Sequence, residues 1–148
     1  MPIIAENKRA RFDYEVIETV EAGLSLLGTE VKSIKTGHVS LRGSFVTIRG
    51  TDLFLTNALI PFYTPAGDSS AYDPVRPRRL LVRKNELKRL IGKVRESGLT
   101  LIPLRVYTKG RLIKVLFAVA KGKKEYDKRS VIKKREADRE QGRAMRSS

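Results

Sequence analysis

The chain has 148 residues, 41% of them apolar, and carries 31 Lys and Arg against 16 Asp and Glu, a net charge of +15. That length supports one domain with an appendage, and that charge repels itself until a polyanion relieves it, which makes nucleic acid the leading class of partner. With no cysteine and a single histidine, a disulfide framework, a thiolate-bound zinc and a His-rich metal site are excluded, and no cofactor is expected. No long apolar run, signal-peptide pattern or lipidation signature points to a membrane, so a soluble cytoplasmic protein is expected.

The predicted elements begin at "FDYEVIETVEAGLSLLG", where Phe12, Tyr14 and Val16 alternate, Glu21-Ala22-Gly23 interrupts, and Leu24, Leu26 and Leu27 follow. This reads as a hairpin with Gly23 in its turn. "TEVKSIKTG" spaces Val31 and Ile34 as a short helix ending on Gly37. A second hairpin is expected around Arg49-Gly50-Thr51-Asp52. From Pro61 to Pro77 the Pro, Gly, Ser and Asp content predicts a long loop. Leu87, Leu90, Ile91 and Val94 then mark a helix capped by Gly98, and "LTLIPLRVYTKGRLIKVLFAVA" gives a third hairpin turning at Thr108-Lys109-Gly110.

About six strands in hairpins with a few helices fit a mainly β fold, an oligonucleotide-binding-type closed β-barrel. A small α+β sandwich leaves the same traces, and closure is favoured because it removes edges from long apolar strands. The domain is expected over residues 1–120 and a basic tail over 121–148, which holds 11 basic and 5 acidic residues. The tail is expected to be disordered alone, because after Tyr126 its sizeable apolar residues are Val131, Ile132 and Met145. Its composition from Lys133 to Glu140 favours a helix that a partner could induce.

No Gly-x-Ser-x-Gly or phosphate-binding glycine loop is present. His38 reads as a capping or surface residue. Asp13, Glu15, Glu18, Glu21 and Glu30 could hold a magnesium ion, as a nuclease would need, but three of them alternate with apolar residues as on a solvated sheet face. Binding is better supported by two basic clusters, Lys8, Arg9 and Arg11, and Arg76, Arg78, Arg79, Arg83 and Lys84. Aromatic residues at inward strand positions argue against a stacking reader of single strands and for shape recognition of a folded RNA.

"NKRARFDYEVIETVEAGLSLLGTEVKSIKTG", "RPRRLLVRKNEL", "LIPLRVYTKG" and "AKGKKEYDKRSVIKKRE", in that order from Asn7 to Glu136, resemble the SsrA-binding protein (small protein B) family. The resemblance implies a barrel of about six strands with three helices. It implies binding to the tRNA-like domain of transfer-messenger RNA and delivery to stalled ribosomes with elongation factor Tu and GTP, in support of alanylation by alanyl-tRNA synthetase. No catalysis by the chain itself is implied, and a monomer is expected.

The same resemblance implies body contacts to RNA from Asn7, Lys8, Arg9, Glu21, Gly23, Leu81 and Arg83. Where the family can carry Asn, this chain has Arg83, which suits a phosphate. In the tail, Lys121, Lys123, Lys124, Lys128, Arg129, Lys133, Lys134 and Arg135 are expected on phosphates in the decoding centre and empty message channel. Tyr126 is expected to stack on a base and Asp127 to orient a neighbouring cation or accept from a base edge. The alternatives are a constitutive ribosomal RNA-binding or assembly protein and a metal-dependent nuclease.

Overall fold

The computed structural model describes residues 2–67 and 70–122. Seven strands and three α-helices follow in the order β1 (Ile3–Glu6), α1 (Ala10–Asp13), β2 (Tyr14–Leu24), α2 (Gly28–Lys35), β3 (Phe45–Arg49), β4 (Asp52–Thr56), β5 (Arg78–Leu81), α3 (Lys84–Ser97), β6 (Thr100–Lys109) and β7 (Leu112–Gly122). The strands pair in the order β1-β6-β3-β4-β5-β2-β7, and β7 returns to β6. Six strands therefore close in a ring, as expected for a mainly β fold, while β1 lies outside it on β6.

Closure depends on alternation. On β2 the residues Val20, Ala22 and Leu24 face inward, and on β7 Ile113, Val115, Phe117 and Val119 join them in the central core. Outward residues of the same strands start a second, smaller core: Ala118, Ala120, Ile102 and Leu104 pack with Ala10 of the single-turn α1, flanked by Tyr14, Val16 and Leu116. One end of the β2–β7–β6 ladder is thus apolar on both faces, which is why "LFAVA" reads as an unbroken apolar run. A register shift between Pro103 and Arg105 in the β6–β7 ladder lets the outward row continue as Arg105, Tyr107 and Lys109.

Two expected hairpins are present, with Arg49 opposite Asp52 and Lys109 opposite Leu112. The helix Lys84–Ser97 ends on Gly98, whose φ of 62° is left-handed and favours glycine. The expected hairpin at Gly23 is not formed. β2 runs straight through it, with Gly23 opposite Lys114 of β7 and Leu81 of β5. An added Cβ here would lie 3.4 Å from Leu81 Cβ, at the near limit of ordinary van der Waals contact.

The long loop is present with a 3-10 turn at Thr64–Ala66, and buried charge ties it down. Glu30 and Arg78 are each fully buried. Arg78 Nε donates to Glu30 Oε2 at 2.8 Å, and its two terminal nitrogens donate to Ala58 O at 2.8 Å and Pro74 O at 3.0 Å. Arg76 also donates to both oxygens of Glu30, while the Leu27 amide donates to Oε1 at 2.8 Å and Tyr72 Oη to Oε2 at 3.2 Å. Burial pushes the Glu30 carboxyl up, but hydrogen bonds from Arg76, Leu27 and Arg78 outweigh it and leave it below the usual range. Arg76 and Arg78, read from sequence as phosphate ligands, face inward because this carboxylate requires them.

The expected domain ends at Ala120, and β7 carries two further residues, Lys121 and Gly122, with Lys121 opposite Glu15. Residues 123–148 lie outside the described residues, and with them most of the expected tail.

Glu30→Ala leaves a buried guanidinium unpaired and should cost about 3–5 kcal/mol in urea unfolding. A second ionic tie joins β2 to α3: Glu18 accepts from Arg89 Nη2 at 2.7 Å and Lys93 Nζ at 2.8 Å. The Arg89 hydrogen bond first, then Lys93, lowers its pKa from 4.5 to about 2. A lowered folded-state pKa stabilises above the unfolded value and is lost as pH falls through the folded one. After allowance for solvent screening, Glu18→Gln should cost about 1 kcal/mol at pH 7. The deficit should shrink between pH 4.5 and 2, followed by unfolding at a series of pH values.

Candidate nucleic-acid interface

The outward row at the hairpin end of the ladder is where charge and apolar surface meet. Glu21 projects from β2, Lys114 and Leu116 from β7, and Arg105, Tyr107 and Lys109 from β6, because all lie on the outward phase of strands in register. Tyr107 Oη donates to Glu21 Oε2, and Lys109 Nζ donates to Oε1 at 3.3 Å. The Tyr107 hydrogen bond, then Lys109 and the field of Lys114, hold the Glu21 carboxyl below the usual range despite some desolvation. Burial, then Glu21, pushes the Tyr107 hydroxyl up to about 12. At neutral pH Glu21 is an ionised acceptor and Tyr107 a neutral donor.

Beside this carboxylate lies a cleft of about 320 Å³ lined by Gly23, Leu24, Leu26, Val31, Leu81 and the β6–β7 turn residues Arg111 to Lys114. Its rim is apolar and exposed: Leu81 is 47% and Leu112 60% accessible. Gly23 keeps the floor next to Leu81 open. Arg83, exposed at the start of α3, follows Leu81 by two residues. Thus Glu21, Gly23, Leu81 and Arg83, far apart in sequence, fall at one end of the ring.

Asn7, Lys8 and Arg9 lie elsewhere. The Asn7 backbone N–H donates to Leu104 O at 2.8 Å and its side chain to Pro103 O at 3.0 Å, so both fasten the chain after β1 to β6. Arg9 lies 4.7 Å from the centre of the Phe12 ring and 3.5 Å from Asp13. Lys8 is exposed. Arg105 connects the two groups: it lines a hollow with Asn7, Lys8 and Arg11 and another with Glu21, Tyr107 and Leu116.

Of the expected tail residues, Lys121 is an exposed strand residue. Lys123, Lys124, Tyr126, Asp127, Lys128, Arg129, Lys133, Lys134 and Arg135 lie outside the described residues. The acidic residues that a nuclease would gather are dispersed, Glu18 to Arg89, Glu21 to Tyr107 and Glu30 to two arginines. Among the described residues no group of three or more His, Cys, Asp or Glu is placed to hold a metal. Also among them, no helix is long and apolar enough to cross a membrane.

Sequence reading missed Arg105, Tyr107, Lys109, Arg111, Leu112 and Lys114. The detectable signal was the period-2 row Arg105-Tyr107-Lys109 in the third hairpin, polar on one face of an otherwise apolar strand.

A closed, mainly β ring carrying a cationic outer face around one ordered carboxylate has the architecture of a nucleic-acid-binding domain. The family described as "SmpB protein" matches residues 4–147, and the chain belongs to that family. It is 47% identical over 144 residues to an SsrA-binding protein of Chloroflexus aggregans, covering 97% of this chain and 91% of that protein. It is 52% identical over 140 residues to that of Thermosipho africanus, covering 94% and 93%. A solved structure described as "tmRNA-SmpB: a journey to the center of the bacterial ribosome" shares 50% identity and superimposes with a TM-score of 0.65, covering 81% of this chain and 84% of that one.

If Leu112 is exposed for a partner rather than for packing, Leu112→Ala should change unfolding free energy by less than about 0.5 kcal/mol. A loss of several kcal/mol in urea titration would assign the residue to the core instead.

Proposed function

We propose that this protein binds transfer-messenger RNA through its tRNA-like domain and accompanies it to stalled ribosomes for trans-translation. The observation that carries the reading is an outer face on which Lys109 bonds Glu21 and Arg111 and Lys114 line the Gly23–Leu81 cleft, in a chain matched to SsrA-binding proteins along nearly its whole length. Lysines and arginines supply affinity for phosphate without sequence information. A carboxylate in their midst repels phosphate and accepts from base edges, so it adds discrimination where the cations add attachment. The open cleft between Leu81 and Leu112 suits the apolar face of a base or ribose.

Asn7 acts in this reading by holding Lys8 in place, while Lys8, Arg83 and Arg105 take phosphates. Residues beyond Gly122 would enter the decoding centre and the vacant message channel, their cations on ribosomal phosphates and Tyr126 stacked on a base. Elongation factor Tu with GTP and alanyl-tRNA synthetase act through the bound RNA, and the protein works in the cytoplasm as a monomer and as a binder rather than a catalyst. Permanent attachment to ribosomal RNA is less well supported, since the named relatives are SsrA-binding proteins.

The test is sequencing of RNA that co-purifies with the tagged chain, normalised to cellular abundance, for the full protein and for one lacking residues 123–148. Both should enrich transfer-messenger RNA, and only the full protein should support tagging of products from a message without a stop codon. Enrichment of ribosomal RNA alone would overturn the reading. Equal loss of RNA binding and tagging on truncation would overturn the division of labour between body and tail.

A further inference from the structure

Glu21 is held from one side only by two donors of β6, the strand beyond β7, and how they hold it limits what it can recognise. A carboxylate has about four acceptor positions, two on each oxygen. Tyr107 occupies one on Oε2 and Lys109 one on Oε1, which leaves one on each oxygen. Tyr107 is 5% exposed and fixed in the sheet, whereas a third of the Glu21 side chain remains accessible. The group is therefore a two-pronged acceptor whose orientation is set before any ligand arrives.

We infer that Tyr107 is a positioning residue that presents Glu21 as a bidentate acceptor for the Watson–Crick edge of an unpaired guanine. The four bases differ in the donors they present on that edge. Guanine offers two adjacent donors, the N1–H and the N2 amino group, spaced to meet both oxygens. Uracil offers one ring N–H between two carbonyls. Cytosine and adenine place their amino group beside a ring nitrogen that accepts and would oppose the second oxygen. Folded RNAs expose such edges in loops, where proteins read them. Arg105 lines a hollow with Glu21, and Lys109 and Lys114 act on the carboxylate directly and through their field; these cations would fix the phosphates on either side of the base. Without the Tyr107 hydroxyl, Glu21 turns toward Lys109 and loses the second prong.

This inference rests on the RNA-binding reading above and deepens it by naming what Glu21 reads. The experiment is a double-mutant cycle on the full chain, with Tyr107→Phe, Glu21→Gln and the pair, measuring Kd for the tRNA-like RNA and for an elongator tRNA. Wild-type preference for the tRNA-like RNA judges the reading. The cycle, taken on whichever RNA binds more tightly, judges the inference. Tyr107→Phe should weaken wild-type binding about tenfold and leave the Glu21→Gln protein unaffected, because its effect passes through Glu21. Should Tyr107→Phe melt early, inosine replacements in the RNA, read on the wild type and on Glu21→Gln, decide the inference by themselves.

Unpaired guanosines of the RNA are then replaced singly by inosine, which lacks the N2 amino group. One replacement should weaken wild-type binding several-fold and leave the Glu21→Gln protein unchanged. If Tyr107→Phe costs the Glu21→Gln protein as much as it costs the wild type, Tyr107 has a general structural role and the inference falls. It falls equally if no inosine replacement distinguishes the two proteins.

Discussion

At Gly23 one backbone position is paired on both sides, with Lys114 of β7 and with Leu81 of β5, and this double pairing joins the two halves of the ring. The rest follows from the continuity of β2. Because the strand runs unbroken from Tyr14 to Leu24, its inward phase reaches the central core and its outward phase carries Glu21 to the Tyr107 side of the sheet. A turn at Gly23 would have reversed the chain, separated β5 from β2 and left the edges of both strands unpaired. Gly23, which has no side chain, also lines the cleft beside Leu81. The residue that joins the two halves of the ring thus also borders the cleft.

A chain of charge +15 must place its cations, and it does so in two ways. Arg76 and Arg78 turn inward onto Glu30, where a carboxylate, backbone carbonyls and the Tyr72 hydroxyl satisfy them. Such an ion pair adds little net stability over apolar packing but fixes geometry, because any other arrangement leaves a buried charge unpaired. Here it fixes the path of the long loop against α2 and β5. The cations on the outer face keep their hydration and are available to phosphate. Neighbours in sequence, Arg78 and Arg79, differ for this reason: strand alternation points Arg78 into the core and leaves Arg79 exposed beside Asp52.

The interface combines two kinds of chemistry that neither cluster carries alone. In the proposed reading, cations distributed from Lys8 through Arg105 to Lys114 give an attachment surface of low selectivity. Glu21, ionised and oriented by Tyr107 and Lys109, gives one directional element within it. The leucines flanking the Gly23 cleft add an apolar surface whose exposure would otherwise favour association.

Charge, the lack of cysteine, the helix at Leu87–Val94 and the turns at Gly50 and Gly110 were legible in the sequence, because composition and short-range periodicity determine them. The ordered family segments also pointed to the family and to RNA. The path of β2 was not legible: glycine within alternating sequence has the same local signature whether it turns the chain or admits a neighbouring strand. The burial of Arg78 and the union of Glu21 with Tyr107 were equally hidden, since each depends on a partner 48 or 86 positions away. The sequence by itself determined the charge, the elements and the class of partner. Tertiary structure alone decided which cations face water and which strand holds the carboxylate, because pairing across the ring sets side-chain direction and no local pattern records it.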